Sequence, residues 1–265
     1  MGELTRWHRA WFVVTALMAV GVALACLPWP EHAADVLPIT PKALHARCIG
    51  ALYLAAALGL AMSEHVADIA AVRIPMALVI VGAAGMALAG LTVTPLPGPW
   101  LLLHTLVALS GAWLRWLDGN VQAPAERPDR GLLALASLAA VTAALLALVP
   151  QWAAALWPWP LPRPVTAFYA APLVALSLCA WLVARERRRD ARRIALWVLA
   201  AACTGLLVAS ALHRALFAGA SAWVWFALIG AAWALVLQRL LSRNVLVLPR
   251  SGSAGRRGKS RPQAP

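Results

Sequence analysis

Long apolar runs separated by short polar or proline-rich stretches recur eight times along the chain, at residues 10–27, 43–62, 74–91, 100–117, 131–149, 165–184, 194–216 and 222–241. Each approaches the roughly 20 apolar residues a helix needs to cross a bilayer, and a backbone in hydrocarbon must satisfy its own polar groups. Each run therefore predicts a transmembrane helix. The alternation of short segments that marks a membrane β-barrel is not visible. The expected fold class is all-α transmembrane, with about eight helices.

The separators carry their own signals. Residues 28–41 form a proline-rich loop holding Glu31, His32 and Asp35, and residues 63–73 a short link. Pro95, Pro97 and Pro99 exclude a continuing helix over 92–99 and predict a tight turn there. Residues 118–130 are polar and mark the expected boundary between two halves. Over 150–164, Trp152, Trp157 and Trp159 among prolines predict an aromatic loop lying in the headgroup region. The tail after Leu248 is Ser, Gly, Pro and Arg with almost no apolar content, so residues 242–265 are expected to be disordered. Ala23, Leu24 and Ala25 before Cys26 also offer a cleavage pattern for a signal peptide. A retained first span is the favoured reading, because the second half has an equivalent helix in the same place.

Composition agrees with a lipid solvent: 62% of the 265 residues are hydrophobic and 12% charged, with a mean hydropathy of +0.75. The four cysteines fall within apolar runs without a CxxC spacing, so they read as small core residues. A net charge of +13 would suggest nucleic acid in a soluble chain. Here the basic residues sit at span ends and in the tail, where they set orientation and meet anionic lipid headgroups, so nucleic acid is not an expected partner. Placing both termini and the links after spans two, four and six on one side leaves only Lys42, Arg47, Arg163 and Arg214 of the 23 Lys and Arg on the other. With the block RERRRDARR at 185–193, this predicts cytoplasmic N- and C-termini.

An internal repeat organises the spans. Leu37-Pro38 leads into span two as Leu161-Pro162 leads into span six, and Arg73-Ile74 opens span three as Arg193-Ile194 opens span seven. Gly85 matches Gly205, each twelve residues further on, and Trp100 and Trp223 sit at the starts of spans four and eight. Four spans per half would give the halves the same orientation, related by an axis along the membrane normal. The expected organisation is a first four-helix half at 1–122, a second at 123–241 and a basic tail at 242–265.

Small residues recur every four positions at Ala51, Ala55 and Gly59, at Ala201, Gly205 and Ala209, and at Gly230 and Ala234. Such stripes let helices approach closely in lipid. The polar residues on the side opposite the basic block are more informative about chemistry. A charge near a span centre costs about 2.5 to 3.5 kcal/mol on insertion scales, although Arg47 lies close enough to its helix end to snorkel. His45 and Arg47 are roughly 200° apart around a helix, so they are not expected to face one pocket. The candidate ligand site is His45, Arg47, Tyr53, His104, His213 and Arg214. Haem or metal ligation would need the histidines His32, His45, His104 and His213 to converge, and no short-range ligand spacing supports it, so no cofactor or metal is expected. Glu64, His65 and Asp68 read as a solvated loop. No Walker loop, GxSxG elbow, HExxH or paired intramembrane carboxylate is present, and the reading leans away from an enzyme.

The string from His45 to Leu54, HARCIGALYL, preceded by Pro41, together with WPWPLP at 157–162, resembles a segment of uncharacterised bacterial integral membrane proteins with duplicated four-helix halves. The resemblance implies that fold and a bacterial inner membrane, and implies no activity. The second half departs from it, with Tyr169 where His45 aligns and Ala171 where Arg47 aligns, so any site would be asymmetric. The leading expectation is a polytopic inner-membrane protein that binds or passes a small molecule or lipid between its halves near the outer leaflet. The alternatives are a non-catalytic assembly partner of another membrane protein, and a haem- or metal-bearing redox carrier.

Overall fold

The computed structural model describes residues 3–118, 128–217 and 219–242. Its helices are α1 (Arg6–Cys26), α2 (Ala33–Val36), α3 (Ala43–Glu64), α4 (Ile69–Gly90), α5 (Gly98–Leu117), α6 (Arg130–Leu148), α7 (Pro150–Leu156), α8 (Arg163–Arg185), α9 (Arg189–Leu212) and α10 (Gly219–Leu241). No strand occurs among the described residues. Eight of these helices, all but α2 and α7, are long and apolar enough to cross a membrane, which makes the chain a multi-pass membrane protein. The expected disordered tail, apart from Ser242, and most of the expected boundary around residue 122 lie outside the described residues.

Several helix ends follow from local chemistry. Asp68 accepts the N–H of Ala70 at 3.0 Å and so starts α4 at Ile69, five residues before the apolar run alone suggests. Pro75 then falls inside the helix. Asp129 caps α6 by accepting from Gly131 at 3.1 Å and Leu132 at 3.4 Å. The turn between α8 and α9 is held by Glu186, whose Oε1 accepts from the N–H groups of Arg187 and Arg188 at 2.9 and 2.8 Å. Two stretches read as loops contain short helices instead: α2 within 28–41, and α7, which starts at Pro150 because proline suits the first helical turn.

Four helices form the centre and four surround it. α3 packs on α9 and α4 on α8, while α1 lies on α3, α5 on α4, α6 on α8 and α10 on α9. In the inner four, 56–61% of the most apolar stretch is buried, against 11–33% in the outer four. The inner contacts are close because the meeting residues are small. A Cβ added to Gly205 would stand 2.5 Å from the Cβ of Ala51, and one added to Gly85 would stand 2.9 Å from that of Ala171. Leu60, Val72, Met76, Val183 and Leu196 are fully buried in the resulting core, toward its basic end. Indole and hydroxyl groups pin the outer helices: Trp225 and Trp233 on α10 donate to Ser210 and Thr204 on α9 at 2.9 and 3.0 Å, and Ser177 on α8 donates to the Ala136 carbonyl on α6 at 2.8 Å.

The basic end of the bundle is tied by acidic residues. Asp129 takes Arg192 at 3.0 Å and Arg239 at 2.7 Å, joining the start of α6 to α9 and α10. His8 meets Asp118 at 3.3 Å, and Arg9 donates to Glu64. Glu64 and Asp68 therefore hold an arginine and cap a helix, where the sequence pattern alone read a solvated loop. The N-terminal lead also closes on this link, since the N–H of Leu4 donates to the Ala67 carbonyl at 3.2 Å.

Candidate functional site

At the end opposite the basic cluster, five of the six predicted polar residues are engaged, and they form three separate contacts. His45 on α3 reaches α8, where its Nδ1 lies 3.1 Å from the hydroxyl of Tyr169. The ring also bonds the backbone of Pro160, which has only a carbonyl to offer. Tyr53, two turns along α3, donates to Nε2 of His104 on α5 at 2.7 Å. Arg47 turns to the other side of α3: its Nε donates to the Leu27 carbonyl at 3.1 Å and its Nη1 to Nε2 of His213 at 2.7 Å. Arg214, in the turn after α9, is exposed and takes part in none of these contacts.

The helical geometry explains the division. Positions two apart point in nearly opposite directions, so His45 faces α8 while Arg47 faces the end of α9. Convergence of the histidines does not occur, and no group of three or more His, Cys, Asp and Glu placed to hold a metal is found among the described residues. Burial and the Arg47 charge hold the His213 imidazole below its ordinary pKa, which keeps it an acceptor for the guanidinium.

Between α3 and α9 lies a groove of about 300 Å³. Ala51, Ala55, Ala201 and Gly205 make its floor, Leu54, Val208 and Leu212 its walls, and Arg47 its rim. The groove exists because these residues are small; longer side chains would fill it. No carboxylate lies within ion-pair distance of Arg47 among the described residues, and both of its partners are neutral. The arrangement joins a cation with no acidic partner to an apolar channel. It contains no nucleophile held by a base and no carboxylate pair.

Four aromatic residues belong to this part of the structure and make contacts that the sequence pattern did not show. Trp157 and Trp159, expected among headgroups, pack against Tyr169 and Trp225, and Trp159 is 3% exposed. Only Trp152 of that stretch faces outward, at 68% exposure. Tyr169, read as a lost copy of His45, is its hydrogen-bond partner; Tyr being rare in the chain, with two in all, was the available signal. Trp100, at the start of span four, is buried, donates to the Met86 carbonyl at 3.1 Å and stacks on His104 with centroids 3.9 Å apart.

Comparison with protein-family models, with curated proteins and with solved structures returns no match.

Proposed function

We propose that the chain is an inner-membrane protein of bacterial type built from two parallel four-helix halves, α1 to α5 and α6 to α10. It binds or passes an anionic amphiphile in the groove between them at the outer leaflet. The helix pairing supports the two halves: α1 on α3 corresponds to α6 on α8, α4 with α5 to α9 with α10, and the cross-contact α3–α9 to α8–α4. The matched glycines Gly85 and Gly205 each make a close approach to an alanine of the other half, Ala171 and Ala51, one turn apart in the aligned halves. The basic end carrying Asp129, Arg192 and Arg239 faces the cytoplasm, by the preference of Lys and Arg for that side.

The observation that carries the ligand reading is Arg47 on the rim of the groove with, among the described residues, only the Leu27 carbonyl and His213 as partners. A guanidinium donates to two oxygens of a phosphate or carboxylate side by side, and an acyl chain would lie along Ala51, Ala55 and Gly205. The test is thermal stability of the purified protein in nanodiscs with and without phosphatidylglycerol. The wild type gains stability from the anionic lipid, Arg47→Gln loses most of that gain, and Arg185→Gln at the other end keeps it. An equal gain in the wild type and Arg47→Gln would overturn the reading.

A second reading, assembly with another membrane protein, is favoured by α10. Gly230 has no atom within 4 Å of where a Cβ would be, and Trp223 is 80% exposed. The small-residue stripe at Gly230 and Ala234 thus serves no contact within the described residues. Purification in mild detergent separates the readings, since a monomer with no companion protein counts against assembly. A haem or metal carrier gains no support, because His45, His104 and His213 lie in three separate contacts and do not converge.

A further inference from the structure

A different face of α3 looks into a fork between α1 and α5. The two helices are closed at the basic end: Trp11 donates to Ser110 at 3.0 Å and lies so near Gly111 that an added Cβ would stand 2.6 Å from its ring. Toward the other end they part around a cavity of about 110 Å³, with Met18 and Val22 of α1 on one side and Leu103 and His104 of α5 on the other. Its back wall is Tyr53 of α3, with α4 and α8 behind. The volume is of the order of the ~150 Å³ apolar cavity that holds benzene. Thr15, Tyr53 and His104 are the polar side chains on an otherwise apolar lining.

The hydrogen bonds define what this cavity presents. His104 Nδ1 lies 3.0 Å from the Trp100 carbonyl, which can only accept, so Nδ1 carries the ring's proton. The ring is neutral in these apolar surroundings, and Nε2 therefore accepts the proton of Tyr53 at 2.7 Å. The Tyr53 oxygen keeps its lone pairs and has no proton left to give. It offers a hydrogen-bond acceptor at depth: His104 is about 9 Å along α5 from Gly98, and Tyr53 about 15 Å along α3 from Ala43, at 1.5 Å per residue. A phosphate headgroup is held at the interface by hydration and does not reach that depth.

We infer that the fork between α1 and α5 binds a membrane-soluble lipid with a hydroxyl and no charged headgroup, a quinol or a prenol, whose O–H donates to Tyr53. The ligand enters sideways from the bilayer between the parted helices, and its tail stays in the fork. Met18 and Met86 give that lining the adaptable surface a flexible chain needs. The site is separate from the Arg47 groove, and each stands without the other.

The test titrates the full-length protein in nanodiscs, under anaerobic conditions, with decyl-hydroquinone and its dimethyl ether, and with farnesol and its methyl ether. Tryptophan fluorescence reports binding through Trp100, which stacks on His104. Losing one well-placed hydrogen bond corresponds to about a tenfold change in affinity. Each hydroxyl compound is expected to bind about tenfold tighter than its ether, and Tyr53→Phe to bring that ratio to near one while Arg47→Gln leaves it unchanged. The tighter of the two hydroxyl compounds identifies the source as quinol or prenol. A wild-type ratio near one overturns the inference, as does a ratio that survives Tyr53→Phe. The wild-type ratio decides alone if Tyr53→Phe does not fold.

Discussion

Asp129 shows how one residue serves several elements at once. It caps α6, holds Arg192 and Arg239, and its own N–H donates to the Ala184 carbonyl at 2.8 Å. Burial pushes its carboxyl up, but Arg239, the Leu132 N–H and Arg192 together outweigh this and hold it below its usual 3.8. A depressed carboxylate stabilises the fold above the unfolded value and loses that contribution as pH falls through the folded value. Asp129→Asn keeps the cap and removes the ion pairs. Melting of the variant in detergent should show a loss of about 2 kcal/mol at pH 7, between the worth of exposed and buried pairs, that shrinks below pH 4. His213 has the opposite charge type and a lowered value, from burial and then Arg47. The unfolded chain takes up a proton near 6.5 while the folded ring resists, so stability declines as pH drops below about 6.5. A melting series from pH 8 to 5 should show that decline in the wild type and a smaller one in His213→Asn.

At the scale of elements, the α3–α9 contact depends on the absence of side-chain atoms. Gly205→Ala would place a methyl 2.5 Å from Ala51 Cβ, so the helices must separate. The cost is about 1 to 3 kcal/mol, the usual range for overpacking. Ala51→Gly added to Gly205→Ala should recover much of the stability, which thermal melting of the two single variants and the double variant would measure. Gly230→Ala, by contrast, meets open space within the described residues and should melt no lower than the wild type. The same small-residue spacing occurs on all three helices, α3, α9 and α10. It marks a close contact on α3 and α9 and an unused face on α10, and only the packed partner distinguishes them.

For the whole molecule, the proposed parallel halves place the α1–α3 and α6–α8 connections on one side and the α3–α4 and α8–α9 connections on the other. Single cysteines at Glu31 and Gln151, both exposed, should react with a membrane-impermeant maleimide added to intact cells, and one at Arg187 should not. Labelling of Glu31 and Gln151 from opposite sides would rule out a parallel repeat. The native Cys26, Cys48 and Cys179 are buried and give little background.

The sequence by itself determined the number of spans and their approximate limits. The bilayer imposes a length of apolar residues that is local, and each helix satisfies its backbone within itself. It also determined that Arg47 and His45 would part company, since 3.6 residues per turn separates their directions. Ends set by one capping side chain, such as Asp68, were less legible than the spans, because a hydropathy run does not register a single hydrogen bond. Partners were not legible at all: His45 meets Tyr169 across 124 positions, Arg47 meets His213 across 166, and Tyr53 meets His104 across 51. Periodicity fixes the face of a helix from which a residue projects, but not which helix lies opposite. Tertiary packing alone therefore decided that five of the six candidate residues divide into three contacts and Arg214 stays outside them, that Trp157 and Trp159 turn inward, and that α1 and α5 part around Tyr53.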